Sequence, residues 1–560
     1  MNTKRNQSKQ LSWAMQFCFI GVFTTVLAAS LGFSQTATQA ADNGGSESEL
    51  TAQQQSVSAT AAPDTDAAII QELDRMRNRI QELESQLKQR HRGTTAVADS
   101  PNAAVGTQEH FVSESVSSSK ISDQPETPSE SKPAKAEPFA FADWTWLNGN
   151  PRTKEPAFDS KFFTPEVRAD VAYHYDFNHP KDDTIGGSSE VFRSNEISLT
   201  HLGIGGDFHY DHVRARVFTQ LGLYSTATPR NDASYSRGQW QLDNAYRYLN
   251  EAYGGYHFDA LHGINVDAGI FLSYVGLFSF YQFDNWAYQP SFVSSNTPWF
   301  FTGMRFQIFP TEKLKIEPWI INGWQSYARP NGRLGFGGQI LWRPTPWLSI
   351  ISNNYGAGAD ALGIPNRTRY HTDDSVEVKY YDHPERFLDK IAFSLTGDVG
   401  CETGGGVNCT TNKKDAAGNI VAYKQSFLGF MLYNRWWLHK DRYAVTVGGG
   451  KINNPGRYLV LLPPINGATA STGTPYFTEN PGDPFKAWDI SGTYDYMPSQ
   501  YITFRWEFNH RHANVPYWSG PGGVTPPGGN NGNPATIIPG WFPDLRRTED
   551  RATMAILVKF

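Results

Sequence analysis

Thr553-Met554-Ala555-Ile556-Leu557-Val558-Lys559-Phe560 is an alternating stretch in which Met554, Ile556, Val558 and Phe560 share one face of a strand. Thr553 and Lys559 fall on the other face, so the pattern predicts a strand with one apolar side and a terminal aromatic. The same period of two runs upstream. From about residue 165, Val167, Ala169, Val171, Tyr173, Tyr175 and Phe177 alternate with Glu166, Arg168, Asp170, His174 and Asp176. Later, Ile502, Phe504, Trp506 and Phe508 alternate with Thr503, Arg505, Glu507 and Asn509. Charged side chains inside a strand need water or a partner. A soluble sandwich with one apolar face meets that need, and so does a barrel with a polar interior and a lipid-facing exterior.

Connection lengths separate the two. Strands are predicted near 165–177, 193–210, 213–226, 245–258, 263–274, 299–309, 313–324, 334–344, 347–357, 372–381, 388–399, 425–435, 441–452, 485–496, 500–511 and 549–560. Joins after the even-numbered strands are short and include Asp211-His212, Asp259-Ala260-Leu261-His262, Pro310-Thr311-Glu312, Thr345-Pro346 and Pro498-Ser499. Joins after the odd-numbered strands are long, up to the Gly/Pro/Asn-rich span 512–548. A transmembrane barrel sorts its loops this way, with tight periplasmic turns and long outer loops, whereas a sandwich has no reason to. The fold class expected is all-β, an antiparallel transmembrane barrel of about sixteen strands over residues 138–560. Trp342, Trp347, Trp436, Trp437, Tyr443, Tyr494 and Tyr496 recur near strand ends, where aromatic girdles belong.

Composition agrees. The chain is 14% aromatic with 50 Gly, and its mean hydropathy is -0.49. Strands that are apolar only at alternate positions look hydrophilic on average. A formal net charge of -6 over 560 residues points neither to nucleic acid nor to a strongly charged partner. Residues 1–40 read as a secretory signal: Lys4, Arg5 and Lys9 form the basic region, Phe17 to Phe33 the apolar core, and Thr38-Gln39-Ala40 a small-residue cleavage site. The alternative is a retained single-pass helix. Removal of Cys18 with this segment would leave Cys401 and Cys409, a pair expected to form a loop disulfide in an exported protein, with two free thiols as the alternative.

Residues 41–65 and 93–137 are Ser/Thr/Ala/Gln/Pro-rich linkers. Between them, over 66–92, Ile69, Leu73, Met76, Ile80, Leu83 and Leu87 repeat at heptad spacing. Glu72 would face Arg77 of a partner helix, and Arg79 would face Glu84, which favours a parallel coiled coil. The alternative is an isolated amphipathic helix.

Several blocks carry a resemblance. Leu249-Asn250-Glu251-Ala252-Tyr253, Thr302-Gly303-Met304-Arg305, Ile321-Asn322-Gly323-Trp324 and Asn353-Asn354-Tyr355-Gly356 look like the motif blocks of the β-barrel porin family of OmpL-like outer-membrane proteins, over roughly 160–560. The terminal aromatic strand resembles the ending of outer-membrane barrels, where Phe560 would serve as a signal to the barrel-assembly machinery. One departure is that Gly276 is followed by Leu277 and Phe278, where the family often carries an acidic residue. The coiled-coil preface is similar to that of sugar- or phosphate-selective porins.

The resemblance implies an outer-membrane porin passing small hydrophilic solutes or ions, with its N-terminal coiled coil and C-terminus periplasmic. A homo-oligomer is expected, a trimer by analogy with porins. The alternatives are a sugar- or phosphate-selective porin and an envelope scaffold with a plugged barrel. The expected water-facing set is Arg168, Asp170, Arg214, Arg216, Glu251, Arg305, Lys315, Glu317, Glu377, Lys379, Asp489, Asp495, Arg505, Glu507 and Arg511. No ring of one sign emerges. Arg214, Arg216 and Arg305 would form a basic track, or the charges would pair across the wall. Segment 275–298 holds Phe278, Phe280, Tyr281, Phe283, Trp286, Tyr288 and Phe292, too apolar for an exposed loop. It is expected to fold inward as a constriction, or else to contact a neighbouring subunit. No nucleophile–histidine pairing, phosphate-binding loop or zinc-protease motif is present, so no enzyme activity and no cofactor are expected. His510 and His512 share a strand face, but without a third ligand they define no metal site.

Overall fold

The computed structural model describes residue 81 and residues 137–560, except 189, 228–244, 326–331, 359–363, 365, 458–480, 526 and 528–539. Apart from Gln81 and Glu137, the expected signal segment 1–40, linkers 41–65 and 93–137 and coiled coil 66–92 lie outside the described residues.

Sixteen antiparallel strands close into one barrel. They are β1 (Phe163–Asp176), β2 (Ile197–Tyr210), β3 (Val213–Thr219), β4 (Leu249–Phe258), β5 (Ile264–Leu272), β6 (Phe300–Thr311), β7 (Leu314–Ile321), β8 (Gly335–Thr345), β9 (Leu348–Gly358), β10 (Thr368–Asp382), β11 (Leu388–Thr403), β12 (Ser426–Leu438), β13 (Tyr443–Asn453), β14 (Lys486–Ser499), β15 (Ile502–Ala513) and β16 (Thr548–Lys559). Each strand pairs with its sequence neighbours, and β1 closes on β16 with Arg168 opposite Lys559. Closure leaves no unpaired strand edge, as a lipid environment requires. The Phe560 amide donates to the Val167 carbonyl at 2.9 Å, so the terminal residue takes part in the closing seam.

The alternation predicted from the C-terminal stretch holds. Met554, Ile556 and Phe560 are 57%, 44% and 45% exposed, against 3% and 7% for Thr553 and Lys559. Joins at 211–212, 259–263, 312–313, 346–347, 383–387, 439–442 and 500–501 lie at one end, and the long joins lie at the other. The strands differ from the expected ones mainly at their ends: β3 stops at Thr219 and β7 at Ile321, while β10 starts four residues earlier than predicted, at Thr368. Trp437 departs from the girdle. It is fully buried and meets Trp286 edge-on at 5.5 Å, because its position in β12 points inward.

Within the long join 404–425, Cys409 is bonded to Cys401 at the end of β11 with S–S 2.06 Å, and small strands at 407–408, 413–414 and 420–424 pair with one another.

Candidate functional site: the barrel interior

The interior is occupied by two pieces of the chain. The first is the β5–β6 join, residues 273–299, which folds inside the wall. Phe278, Phe280, Tyr281, Phe283, Trp286, Tyr288 and Phe292 are all buried. Its aromatics pack on the inner wall, not on the outside of the barrel: Phe278 on Tyr433, Trp286 on Trp437 and Phe292 on Phe485. The apolar content of the loop drives it off the aqueous surface.

Its backbone polar groups then need partners, and the wall charges supply them. Arg505 donates to the carbonyls of Gln282 (3.0 Å) and Asn285 (2.6 Å), Arg435 to that of Trp286 (3.0 Å), and Arg511 to that of Pro290 (3.2 Å). The amides of Tyr288 and Gln289 donate to Glu507 at 2.6 and 2.8 Å, and that of Phe292 to Asp489 at 2.7 Å. Cations take carbonyls and anions take amides, so both signs are required on one wall. The charges also neutralise one another, with Asp495 accepting from Arg435 at 2.8 Å and from Arg505 at 2.7 and 2.9 Å.

On the other side of the loop, Arg216 donates to Glu166 and Glu251 at 2.8 Å and to Asp207 at 2.7 Å. Arg168 pairs with Glu166, reaches Asp284 at 2.7 Å, and lies 3.9 Å over the Tyr281 ring. Tyr281 donates its hydroxyl to Glu251 at 2.7 Å, and Tyr288 donates to Asp170 at 3.1 Å. Further round, Asp267 pairs with Arg214 (3.2 Å) and Arg305 (2.9 Å), and Lys315 pairs with Glu317 (2.9 Å). Glu377 sits beside Arg343 and Ser349, and Lys379 reaches Asp382 at 2.5 Å.

All fifteen predicted water-facing residues therefore project to the inner side. Thirteen are buried there, however; Arg214 and Lys379 alone are half-buried. The basic track of Arg214, Arg216 and Arg305 is a set of ion pairs, because each guanidinium meets a carboxylate. Sequence reasoning put Glu166 on the polar face without adding it to the water-facing set, and it missed Arg435, Asp207 and Asp267, which complete these networks. Their alternation with apolar residues was the available signal.

The second piece was not anticipated. Residues 139–153 form a strap across the short-turn end. Its first contact is the Phe139 amide to the Glu312 carbonyl (2.7 Å) in the β6–β7 turn. Trp144, Trp146 and Leu147 are fully buried, and the Arg343 guanidinium lies 4.8 Å over the Trp144 ring. Asp143 accepts from the Thr145 amide (2.9 Å) and hydroxyl (2.6 Å). Burial raises its pKa, but the Thr145 bonds and nearby Lys154 outweigh that and hold the carboxyl below its ordinary value.

Gly149 donates to the Asp284 carbonyl at 2.8 Å and accepts from Arg435 at 2.7 Å. A Cβ there would come within 2.4 Å of the carbonyls of Phe283 and Asn285, so only glycine lets strap and loop touch. The strap then ends in the β14–β15 turn. Asn150 donates to the Ser499 carbonyl (3.1 Å), Arg152 to those of Met497 (2.7 Å) and Pro498 (2.9 Å), and Thr153 to that of Gln500 (2.5 Å). The two anchoring turns lie eight strands apart in a barrel of sixteen, so the strap spans the mouth from side to side. The density of Phe139, Phe141, Trp144 and Trp146 just after a Ser/Pro-rich tract was the signal for it.

Residues 168–560 match the family described as "Putative beta-barrel porin-2, OmpL-like". Among solved structures, the chain is similar to OmpT of Vibrio cholerae at 9% identity and TM-score 0.40, covering 72% of this chain and 99% of that one. It is similar to the outer-membrane channel DcaP of Acinetobacter baumannii at 12% identity and TM-score 0.38, covering 72% and 100%. The anion-selective porin from Comamonas acidovorans gives 10% identity and TM-score 0.38, covering 71% and 99%. No curated protein matches the chain.

Proposed function

The chain belongs to the OmpL-like β-barrel porin-2 family, and from that premise we propose that it passes small hydrophilic solutes or ions passively across the outer membrane, through a barrel narrowed by residues 275–298 and closed by the strap 139–153. The observation that carries this reading is the division of the wall. Every strand puts polar or charged side chains inward, and these hold the loop by hydrogen bonds that water can replace. In this reading water takes over the wall's hydrogen bonds when the strap and the aromatic loop move. The charged inner set then lines the path, with Arg168, Asp170, Glu251, Asp489, Arg505, Glu507 and Arg511 bonded to the loop. No catalytic step and no cofactor takes part. The strap, both barrel ends and the coiled coil face the periplasm, the C-terminal strand ending in Phe560 is the segment offered to the barrel-assembly machinery, and copies associate through parallel coiled coils.

Single-channel current from the purified mature protein in a planar bilayer tests this. Brief, discrete steps are expected from the intact chain, and longer openings when the strap is unseated by Gly149→Val. No current from folded, heat-modifiable protein of either form overturns it.

A second reading, an envelope scaffold with a permanently plugged barrel, is favoured by the depth of strap burial, Trp144 and Leu147 being wholly enclosed. Deleting residues 41–137 separates the two. A scaffold would lose envelope attachment, while a porin would keep conducting.

A further inference from the structure

Three side chains that conduction does not use meet at the short-turn rim. His212 is the second residue of the β2–β3 turn, in which Asp211 and His212 both have positive φ (47° and 66°). Glycine is the usual residue at that place in a two-residue hairpin turn, so a histidine is held there against local preference. Its carbonyl accepts from the His257 amide at 2.8 Å, which sets the two histidines opposite each other. Their imidazoles lie parallel, with centroids 6.0 Å apart. Asp259, in the β4–β5 turn, faces both: His257 Nε2 is 3.3 Å from its Oδ1, and His212 Nε2 is 3.8 Å from its Oδ2.

Which nitrogen of His257 carries the hydrogen follows from a chain of bonds along the inner wall. The Glu317 carboxylate can only accept, so Gln307 presents Nε2 to it at 3.0 Å. Gln307 Oε1 then accepts from Asn265 Nδ2 at 3.0 Å, and Asn265 Oδ1 accepts from His257 Nδ1 at 2.7 Å. The neutral ring therefore turns the lone pair of Nε2 to Asp259. An outer bond of this kind is what fixes the tautomer of a metal-ligating histidine. Two acceptors that face each other, with a third beside them, call for a cation between them, either a proton or a metal ion.

The distances favour the metal. In a tetrahedral site with bonds of about 2.0–2.1 Å, two ligand atoms stand about 3.3–3.4 Å apart. That is the separation of His257 and Asp259, whereas a charged N–H to carboxylate bond would be shorter, about 2.7–2.9 Å. His212 is the outlier. Among the described residues no three such side chains already stand as a set of ligands, and His212 must come in from 3.8 Å by rotation of its exposed imidazole. Two imidazoles and one carboxylate suit a divalent transition metal, while calcium and magnesium take oxygen ligands.

We propose that His212, His257 and Asp259 bind one divalent transition-metal ion of the zinc type, which ties the β2–β3 turn to the β4–β5 turn. Water completes the coordination on the solvent side, where Asp259 is 76% exposed. The inference is independent of conduction, since none of the three residues lies on the path.

The experiment is a zinc titration of the full mature chain, folded in detergent, read by competition with a chromophoric chelator. One zinc per chain is expected, with affinity about tenfold or more weaker in each of His212→Gln, His257→Gln and Asp259→Asn. Asn265→Leu leaves all three ligands in place and should weaken binding about 10- to 100-fold. His510→Gln, at the other end of the barrel beside Asp550, is the control and should bind as wild type. Asp259 and His212 stand in exposed turns, so variants that remain heat-modifiable report on the site and not on folding. No bound zinc, or an affinity that any one of the three ligand substitutions leaves unchanged, overturns the proposal. An affinity unchanged by Asn265→Leu overturns the orienting role given to that amide.

Discussion

Arg435, Asp495 and Arg505 show how much a single inner charge supports. Asp495 is fully buried and accepts from both guanidiniums, which in turn hold the carbonyls of Gly149, Gln282, Asn285 and Trp286. Asp495→Asn would leave two like charges enclosed together, and breaking a buried pair in this way costs about 3–5 kcal/mol. A fall in the urea midpoint of the heat-modifiable form, larger than that of Asp382→Asn at an exposed site, is the expected result. Arg505→Leu releases two loop carbonyls and keeps the wall packed. It should make the open-channel current noisier, and a current identical to wild type would show that the loop does not depend on this anchor. At this scale the sequence was half legible. Alternation told which side Arg505 and Glu507 face, because period two is a property of the strand itself. It could not tell what they face, because the partners lie more than 200 residues away in a loop without regular period.

The strands were legible as elements because their period, their turns and their alternating join lengths are all local. Strand ends were less so, since Pro310 and Pro498 read as turn residues yet lie within β6 and β14. The strap was not legible as an element: it has one three-residue helical turn, Thr145–Leu147, and otherwise takes its shape from the turns it touches. Gly149→Val should lift its middle by steric overlap with Phe283 and Asn285, and protease cutting after Lys154 from the short-turn side measures this. Cutting no faster than in wild type would show that the strap tolerates the side chain. The Asp143 contribution has a definite pH sense. Its folded pKa is lowered, so the contribution is complete above the ordinary value of 3.8 and is lost as the pH falls through the folded value. The disulfide ties the 404–425 element to the long-join end of β11, where Cys401 stands opposite Tyr370 and Ser426 in the wall. Reduction of Cys401–Cys409 should speed cleavage at Lys413 and Lys414 while leaving the heat-modifiable mobility unchanged, because the barrel hydrogen bonds do not pass through it.

For the molecule as a whole, the barrel closes only through contact between its most distant parts, with β1 on β16 and Phe560 on Val167. The count of sixteen followed from the sequence because each strand shows its own period-two run bounded by turn residues. The filling of the lumen did not follow, because it depends on which surfaces meet once the wall is closed. The strap also has a mechanical meaning. It is fixed to one side of the short-turn rim at Phe139 and to the opposite side of the same rim at Arg152, with Phe139 at its N-terminal end. Tension on that end therefore loads one hydrogen bond at a time, from Glu312 inward, and peels the strap where a pull on both ends would have to shear it. Bonds loaded one at a time yield at lower force than bonds loaded together, so a pull from the Phe139 end would release the strap in steps. Optical-trap extension of barrels held in a bilayer would read this as a stepwise, reversible lengthening of strap size before any strand leaves the wall, and a single abrupt rupture would contradict it.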